Sequence, residues 1–119
     1  MPNSQKDFYK KLLGLSGEQL TARHLKKLGY KILLRNYVTP FGEADIVAKK
    51  GEDIVFVEVK TRSNLKFGTP SEAVNYKKQQ KYVNIANYYL MQNNLQDTCV
   101  SFMVAEVLNG KINLITEAF

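Results

Sequence analysis

Apolar positions recur with a helical period from about Ser4 to Leu28, interrupted at Gly14 to Gly17, and Gly29 marks the stop. The period then shortens. Lys31 to Val38 reads as a strand, Pro40-Phe41-Gly42 as a turn and Glu43 to Ala48 as a second strand. Lys50 to Asp53 forms a hairpin turn into a third strand, Ile54 to Lys60. A loop from Thr61 to Gly68 leads to Thr69-Pro70-Ser71-Glu72, where Thr69 can cap a helix, Pro70 suits its first position and Glu72 completes a capping box. That helix is expected to reach about Gln92 and to end at Asn93-Asn94. Two further strands, Cys99 to Leu108 and Lys111 to Thr116, are joined at Asn109-Gly110, a favoured two-residue hairpin turn. The predicted order αβββαββ describes an α/β chain with a mixed sheet packed by helices.

Both helices carry a polar residue on the apolar stripe. In the first, Leu15, Glu18, Ala22, Leu25 and Leu28 share one face, so Glu18 points inward and needs a partner, unless it merely favours the helix N-terminus behind a Ser16 cap. In the second, the stripe is Val74, Lys78, Tyr82, Ile85 and Tyr89. Lys78 can turn inward, or snorkel outward to water, which the sequence by itself favours. Tyr82 and Tyr89 belong to the core on this spacing rather than to a base-stacking surface.

Composition bounds the rest. A chain of 119 residues, 45% hydrophobic and 24% charged, fits one domain over residues 1–119, with 1–12 as a loosely attached N-terminal helix. No run of about 18 apolar residues and no leader pattern is present, so a cytosolic protein that does not enter a membrane is expected. The single cysteine, Cys99, lies in an apolar run and reads as a small core residue; there is no Cys-x-x-Cys pair or His cluster for zinc. His24 stands alone and reads as a surface helix residue. Seventeen Lys and Arg against eleven Asp and Glu give a net charge of +6, which favours polyanionic partners. Arg35, Lys49, Lys50, Arg62, Lys66, Lys77 and Lys81 are candidates for phosphate contacts. Dinucleotide-binding and phosphate-loop glycine patterns are absent.

The hairpin Gly42 to Lys60 carries the most chemistry. If Lys49 opposes Ile54, then Asp45 faces Glu58 and Glu43 faces Lys60. One face then holds Ala44, Ile46, Ala48, Val55, Val57 and Val59, as a sheet packed on a core requires. The other carries Val47 and Phe56 near the turn and gathers Glu43, Asp45, Glu58 and Lys60 at the far end. Two carboxylates opposed across strands repel, so sheet stability does not select them. A bound cation would relieve the conflict. Carboxylate oxygens suit Mg²⁺, which could polarise a phosphodiester and activate water, with Lys60 positioning that water or neutralising charge on the phosphate. The alternative is a solvated strand end with ordinary surface ion pairs. The apolar run Val55-Phe56-Val57 weighs against it, since charge beside a buried strand is costly unless paired or coordinated.

Gly17-Glu18 with Ala22 and Leu25, Gly29-Tyr30-Lys31-Ile32-Leu33, Arg35-Asn36, Gly42-Glu43-Ala44-Asp45-Ile46-Val47-Ala48, Val55-Phe56-Val57-Glu58-Val59-Lys60-Thr61-Arg62, Phe67-Gly68, and Glu72-Ala73-Val74 with Lys78 resemble the YraN-like family of small bacterial proteins, over about residues 13–119. That family is similar to a minimal restriction-endonuclease-like, or PD-(D/E)xK, nuclease, as in archaeal Holliday junction resolvases. The resemblance implies an active-site set of Glu18, Asp45, Glu58 and Lys60, with Asp45 and Glu58 as ligands of Mg²⁺ or Mn²⁺ and Glu18 assisting. It also brings Lys78 near the site. Ser101-Phe102-Met103 departs from an Arg-Phe-Asp common in the family, and Ala44 stands where Ile is usual.

The function expected is a metal-dependent nuclease acting on DNA, branched or damaged DNA included, with Arg35, Arg62, Lys66 and Lys78 gripping the nucleic acid. A branched substrate would suit a two-fold homodimer, and a small domain has little surface with which to grip a duplex without a protein partner. Two other readings are a nucleic-acid-binding module or adaptor that keeps the fold without turnover, and a protein-interaction domain with vestigial carboxylates.

Overall fold

The computed structural model describes residues 16–62 and 75–116. In chain order these form helix α1 (Gly17–Lys27), strands β1 (Lys31–Thr39), β2 (Gly42–Lys50) and β3 (Asp53–Arg62), helix α2 (Tyr76–Gln92), and strands β4 (Val100–Leu108) and β5 (Lys111–Thr116). The strands make one sheet in the spatial order β1-β2-β3-β4-β5. All neighbours are antiparallel except β3 and β4, and α2 lies in the crossover that this parallel pair requires. The order αβββαββ is the predicted one. This mixed sheet and its two helices are consistent with a restriction-endonuclease-like core.

The sheet is covered on both faces. Ala22 and Leu25 of α1 pack on Ile46, Ala48, Val55, Val57, Met103 and Ala105, while Tyr82, Ile85, Ala86 and Tyr89 of α2 pack on Val47, Ile54 and Phe56. Strand β3 feeds both cores, which is why Ile54 to Val57 has no polar position. Of the six apolar positions expected on one face, five share the α1 side, but Ala44 joins the α2 cluster. On the paired strand, Asn36, between the Arg35–Ile46 and Tyr37–Ala44 pairs, has φ +52°, and on either side of it Arg35 meets Glu18 of α1 and Tyr37 meets Tyr89 of α2.

Local chemistry sets the element ends. Ser16 accepts the Gln19 amide at 3.0 Å and Gln19 Oε1 accepts the Ser16 amide at 2.8 Å, a complete capping box. At α2 the cap is Asn75, extended at φ −87°, ψ 176°, whose Oδ1 accepts the Lys78 amide at 2.9 Å. The helix therefore begins later than the Thr69 cap expected from sequence; residues 69–74, Val74 among them, lie outside the described residues, as do 1–15 and Lys66. The Asn109-Gly110 hairpin is present, with φ +51° and +79° at its two residues.

Two core expectations are corrected. Leu28 is the C-cap of α1 and 45% exposed, and Thr21 takes an inward place instead. Cys99 is exposed: it precedes β4, and it is its carbonyl that joins the sheet, accepting the Ile54 amide at 3.0 Å. Among the described residues no helix is long and apolar enough to cross a membrane.

Gly17 fixes how closely α1 meets the sheet. A Cβ there would lie 1.9 Å from Thr61 Oγ1 and 3.2 Å from Thr61 Cβ, so only glycine allows the first turn of α1 to rest on the end of β3. This holds Glu18 close to the carboxylate-bearing strands.

Candidate active site

The β2–β3 ladder has the expected register, from Lys50–Asp53 to Ile46–Val57, although its turn is only Gly51-Glu52, so Lys50 and Asp53 pair instead of lying in the loop. The ladder stops at Ile46–Val57. Asp45 and Glu58 are consequently not a cross-strand pair, nor are Glu43 and Lys60, because the Asp45 side chain enters the gap and Oδ2 accepts the Val59 amide at 2.7 Å. A carboxylate thus substitutes for a carbonyl where the strands part, satisfying a backbone donor that the ladder leaves over. Glu43 is exposed and pairs through its backbone with Val38.

Alternation along β3 sends Val59 toward α1 and Glu58, like Phe56, toward α2. Glu58 is 7% exposed and fully engaged. Its Oε1 receives Lys78 Nζ at 2.6 Å and Lys60 Nζ at 3.2 Å, and its Oε2 accepts the phenol O–H of Tyr82. Lys78 and Tyr82 lie one turn apart on α2 and therefore reach the same carboxylate together. Lys60 reaches it from its own strand, as residues two apart share a face.

The electrostatics divide the two acids. Burial raises the Asp45 pKa, the Val59 amide opposes this, and the charges of Glu58, Glu18 and Glu43 add to the rise. Glu58 goes the other way: burial would raise it, but the bonds from Lys78 and Tyr82 and the charges of Lys78 and Lys60 outweigh burial and hold it below its ordinary value. Burial and the adjacent Lys78 lower the Lys60 pKa despite Glu58. Burial works in the same direction on Lys78, but Glu58 overcomes it and raises that lysine. The Tyr82 phenol is raised by burial and then by Glu58, and stays protonated as a donor.

The expected site residues separate accordingly. Asp45, Glu58 and Lys60 come together at the parting of β2 and β3. Glu18 approaches from the α1 side, and its inward carboxylate has a partner: Arg35 Nε, 3.2 Å from Oε1. Arg35 is thereby tied to Glu18, with 38% of its side chain exposed. Arg62 ends β3, and its side chain lies outside the described residues. Lys78 turns inward to Glu58 rather than outward, because a buried carboxylate within reach offers more than water does. Tyr82 was expected only as core. Its spacing from Lys78 is the signal that it shares the site.

As arranged, these groups do not fit a divalent cation. Both Glu58 oxygens already accept donors, two of them ammonium groups, and among the described residues no three His, Cys, Asp or Glu side chains converge in metal-holding geometry. What the arrangement offers is a carboxylate biased toward taking a proton, Asp45, beside a buried anion balanced by two lysines.

The profile of the uncharacterised protein family UPF0102 matches residues 17–107, from the α1 glycine through most of β4. A UPF0102 protein of Clostridioides difficile is 48% identical over 105 residues, covering 87% of this chain and 92% of the relative. Relatives in Caldicellulosiruptor saccharolyticus, 47% identical over 116 residues, and Alkaliphilus oremlandii, 49% over 115, each cover 92% of this chain and 98% of their own length. The chain belongs to the UPF0102, or YraN-like, protein family.

Proposed function

We propose that the chain is a nuclease that hydrolyses phosphodiester bonds in DNA, branched or damaged DNA included, at Asp45, Glu58 and Lys60. The observation that carries this reading is the gathering of these three side chains where β2 and β3 part, with Glu58 buried and the Asp45 pKa raised. A buried charge is costly unless it is paired, and acids with perturbed pKa values concentrate at functional sites, which supports the reading. Lys60 stabilises charge that develops on the phosphate, and Asp45 can accept a proton from the attacking water. Mg²⁺ or Mn²⁺ belongs to the proposal only through the family resemblance, in which Asp45 and Glu58 would hold it and Glu18 would add negative charge from α1; the ion pairs of Glu58 with Lys60 and Lys78 would have to open to admit it. Arg35, Arg62, Lys66 and Lys78 remain the proposed phosphate contacts, and a homodimer or protein partner would enlarge the grip.

The test is cleavage of labelled single-stranded, duplex, flap and four-way-junction DNA, and of RNA, with and without Mg²⁺ or Mn²⁺. Metal-dependent cleavage of DNA that is lost in an Asp45→Ala/Glu58→Ala protein supports the reading. Equal cleavage by both proteins contradicts it.

A second reading draws on one observation: Glu58 is neutralised internally by Lys60 and Lys78, so the fold needs no added cation. A binding module without turnover would then hold nucleic acid in a salt-dependent manner that survives loss of Asp45 and Glu58.

A further inference from the structure

The turn between β1 and β2 carries an aromatic ring into water. Phe41 is 51% exposed and belongs to neither core cluster, yet the turn that holds it is pinned: the Thr39 hydroxyl accepts the Phe41 amide at 3.1 Å and donates to the Gly42 carbonyl at 2.8 Å. On one side the ring meets that of Tyr88 of α2, with centroids 6.2 Å apart and planes at 69°. An aromatic held in place by its turn gives up little further freedom when a ligand arrives.

Lysines lie against it. Lys77, Lys81, Asn84 and Tyr88 recur at the i, i+4, i+7 and i+11 spacing of one helix face, and that face borders the turn. The Lys81 stem crosses Gly42, where φ is +132° and a Cβ would come 2.9 Å from Lys81 Cδ, so a glycine lets turn and lysine sit together. The groove between turn and helix is lined by Phe41, Lys77, Lys78 and Lys81 with the amides of Gln80 and Asn84, and no carboxylate is among the described lining residues. Nor does α2 carry an acidic residue along its length. At the inner end Lys78 Nζ lies 2.6 Å from Glu58 Oε1, which Lys60 also contacts, so the groove opens onto the gathering of Asp45, Glu58 and Lys60.

We propose that this groove holds a single-stranded segment of DNA, with one unpaired base stacked on Phe41 and its flanking phosphates on Lys77 and Lys81, and leads it past Lys78 to the candidate active site. A ring set among ammonium groups matches a single strand, whose bases offer a free π face beside each phosphate. A duplex hides those faces and would meet the lysines alone. An acidic peptide would do the same and leave the ring in water. That the strand is led to cleavage rests on the nuclease reading above; the binding does not.

The experiment uses the full chain in a chelator and follows the polarisation of a labelled single-stranded oligonucleotide and of a duplex of equal length. Phe41→Ala should weaken single-strand binding about tenfold and leave duplex binding unchanged. Lys77→Gln and Lys81→Gln should each lower the slope of log affinity against log salt by about 0.7, whereas Lys111→Gln, an exposed charge elsewhere, should not. The chain has no tryptophan, so Phe41→Trp places a single indole in the groove. Its fluorescence should be quenched by the single strand and not by the duplex or by oligoglutamate. Full single-strand affinity in Phe41→Ala, an unquenched indole, or equal quenching by oligoglutamate overturns the proposal. If the wild type cleaves DNA but Phe41→Ala binds single strands as tightly, the groove assignment fails and the nuclease reading stands. If Phe41→Ala loses single-strand binding but no substrate is cleaved by the wild type, the nuclease reading fails and the groove stands.

Discussion

The Asp45 carboxylate accepts the Val59 amide at 2.7 Å, so a side chain joins β2 to β3 just beyond the point where backbone pairing ends. The bond orients Asp45, yet burial and three neighbouring carboxylates act against its charge. Asp45→Asn retains an oxygen for the Val59 amide and removes the charge. The sign follows from the raised pKa: the folded state binds the proton more tightly than the unfolded chain, so an ionised Asp45 costs stability at neutral pH. The variant should melt a few degrees higher at pH 7, since about 1 kcal/mol moves the Tm of a domain of this size by roughly 4 °C. Scanning calorimetry at pH 7 checks this, and a lower Tm would show that the carboxylate stabilises the strand junction.

Glu58 has the opposite sign. Its folded pKa lies below the ordinary value of about 4.3. Its contribution is therefore complete above that value and is lost as pH falls through the depressed folded pKa. Glu58→Gln leaves two ammonium groups without their anion and should cost about 2–3 kcal/mol at pH 7. This is less than the roughly 3–5 kcal/mol of a fully buried pair, because the lysines keep 21% and 25% of their side chains exposed. Urea unfolding should show the gap between wild type and variant closing as pH is lowered below about 4. A gap that persists at low pH would assign the loss to packing instead.

Gly17 and Thr61 should couple. Gly17→Ala puts a methyl group into Thr61 Oγ1 and is expected to destabilise by about 1–3 kcal/mol. Thr61→Ala removes that oxygen, so the double variant should recover part of the loss, which a double-mutant cycle in urea measures. Strict additivity would mean that α1 shifts away from β3 without resistance.

The Thr21 hydroxyl is buried in α1 without a hydrogen-bond partner among the described residues. Replacing it with a methyl group of similar shape removes a desolvated polar atom, so Thr21→Val should stabilise by about 1 kcal/mol. A loss in thermal unfolding would reveal a partner for that hydroxyl in solution.

Much of this was legible in the amino-acid pattern, because strand and helix periods and turn residues act locally. The element order, the Lys49–Ile54 register and the Asn109-Gly110 turn follow from such signals. The site was legible as a set, and its internal contacts were not. Extending the ladder by parity put Asp45 opposite Glu58, whereas the strands part and the side chain finds a backbone amide, an outcome that depends on three-dimensional splay. Parity failed at Ala44 as well, which joins the α2 cluster beside a stretch of β1 that holds a left-handed residue, Asn36. The inward turn of Lys78 depended on a buried acid from another element. Cys99 looked apolar by its neighbours but lies just before the strand begins.

The most direct measurement is the cleavage rate of the best DNA substrate by wild type and by Asp45→Asn, with the Tm of each protein taken in the same buffer. The variant is expected to fold at least as stably as the wild type, so misfolding cannot account for lost turnover. We predict a rate at least about a hundredfold lower with an equal or higher Tm, in line with loss of a proton acceptor. Cleavage at an undiminished rate would contradict the assignment of chemistry to Asp45 and its neighbours.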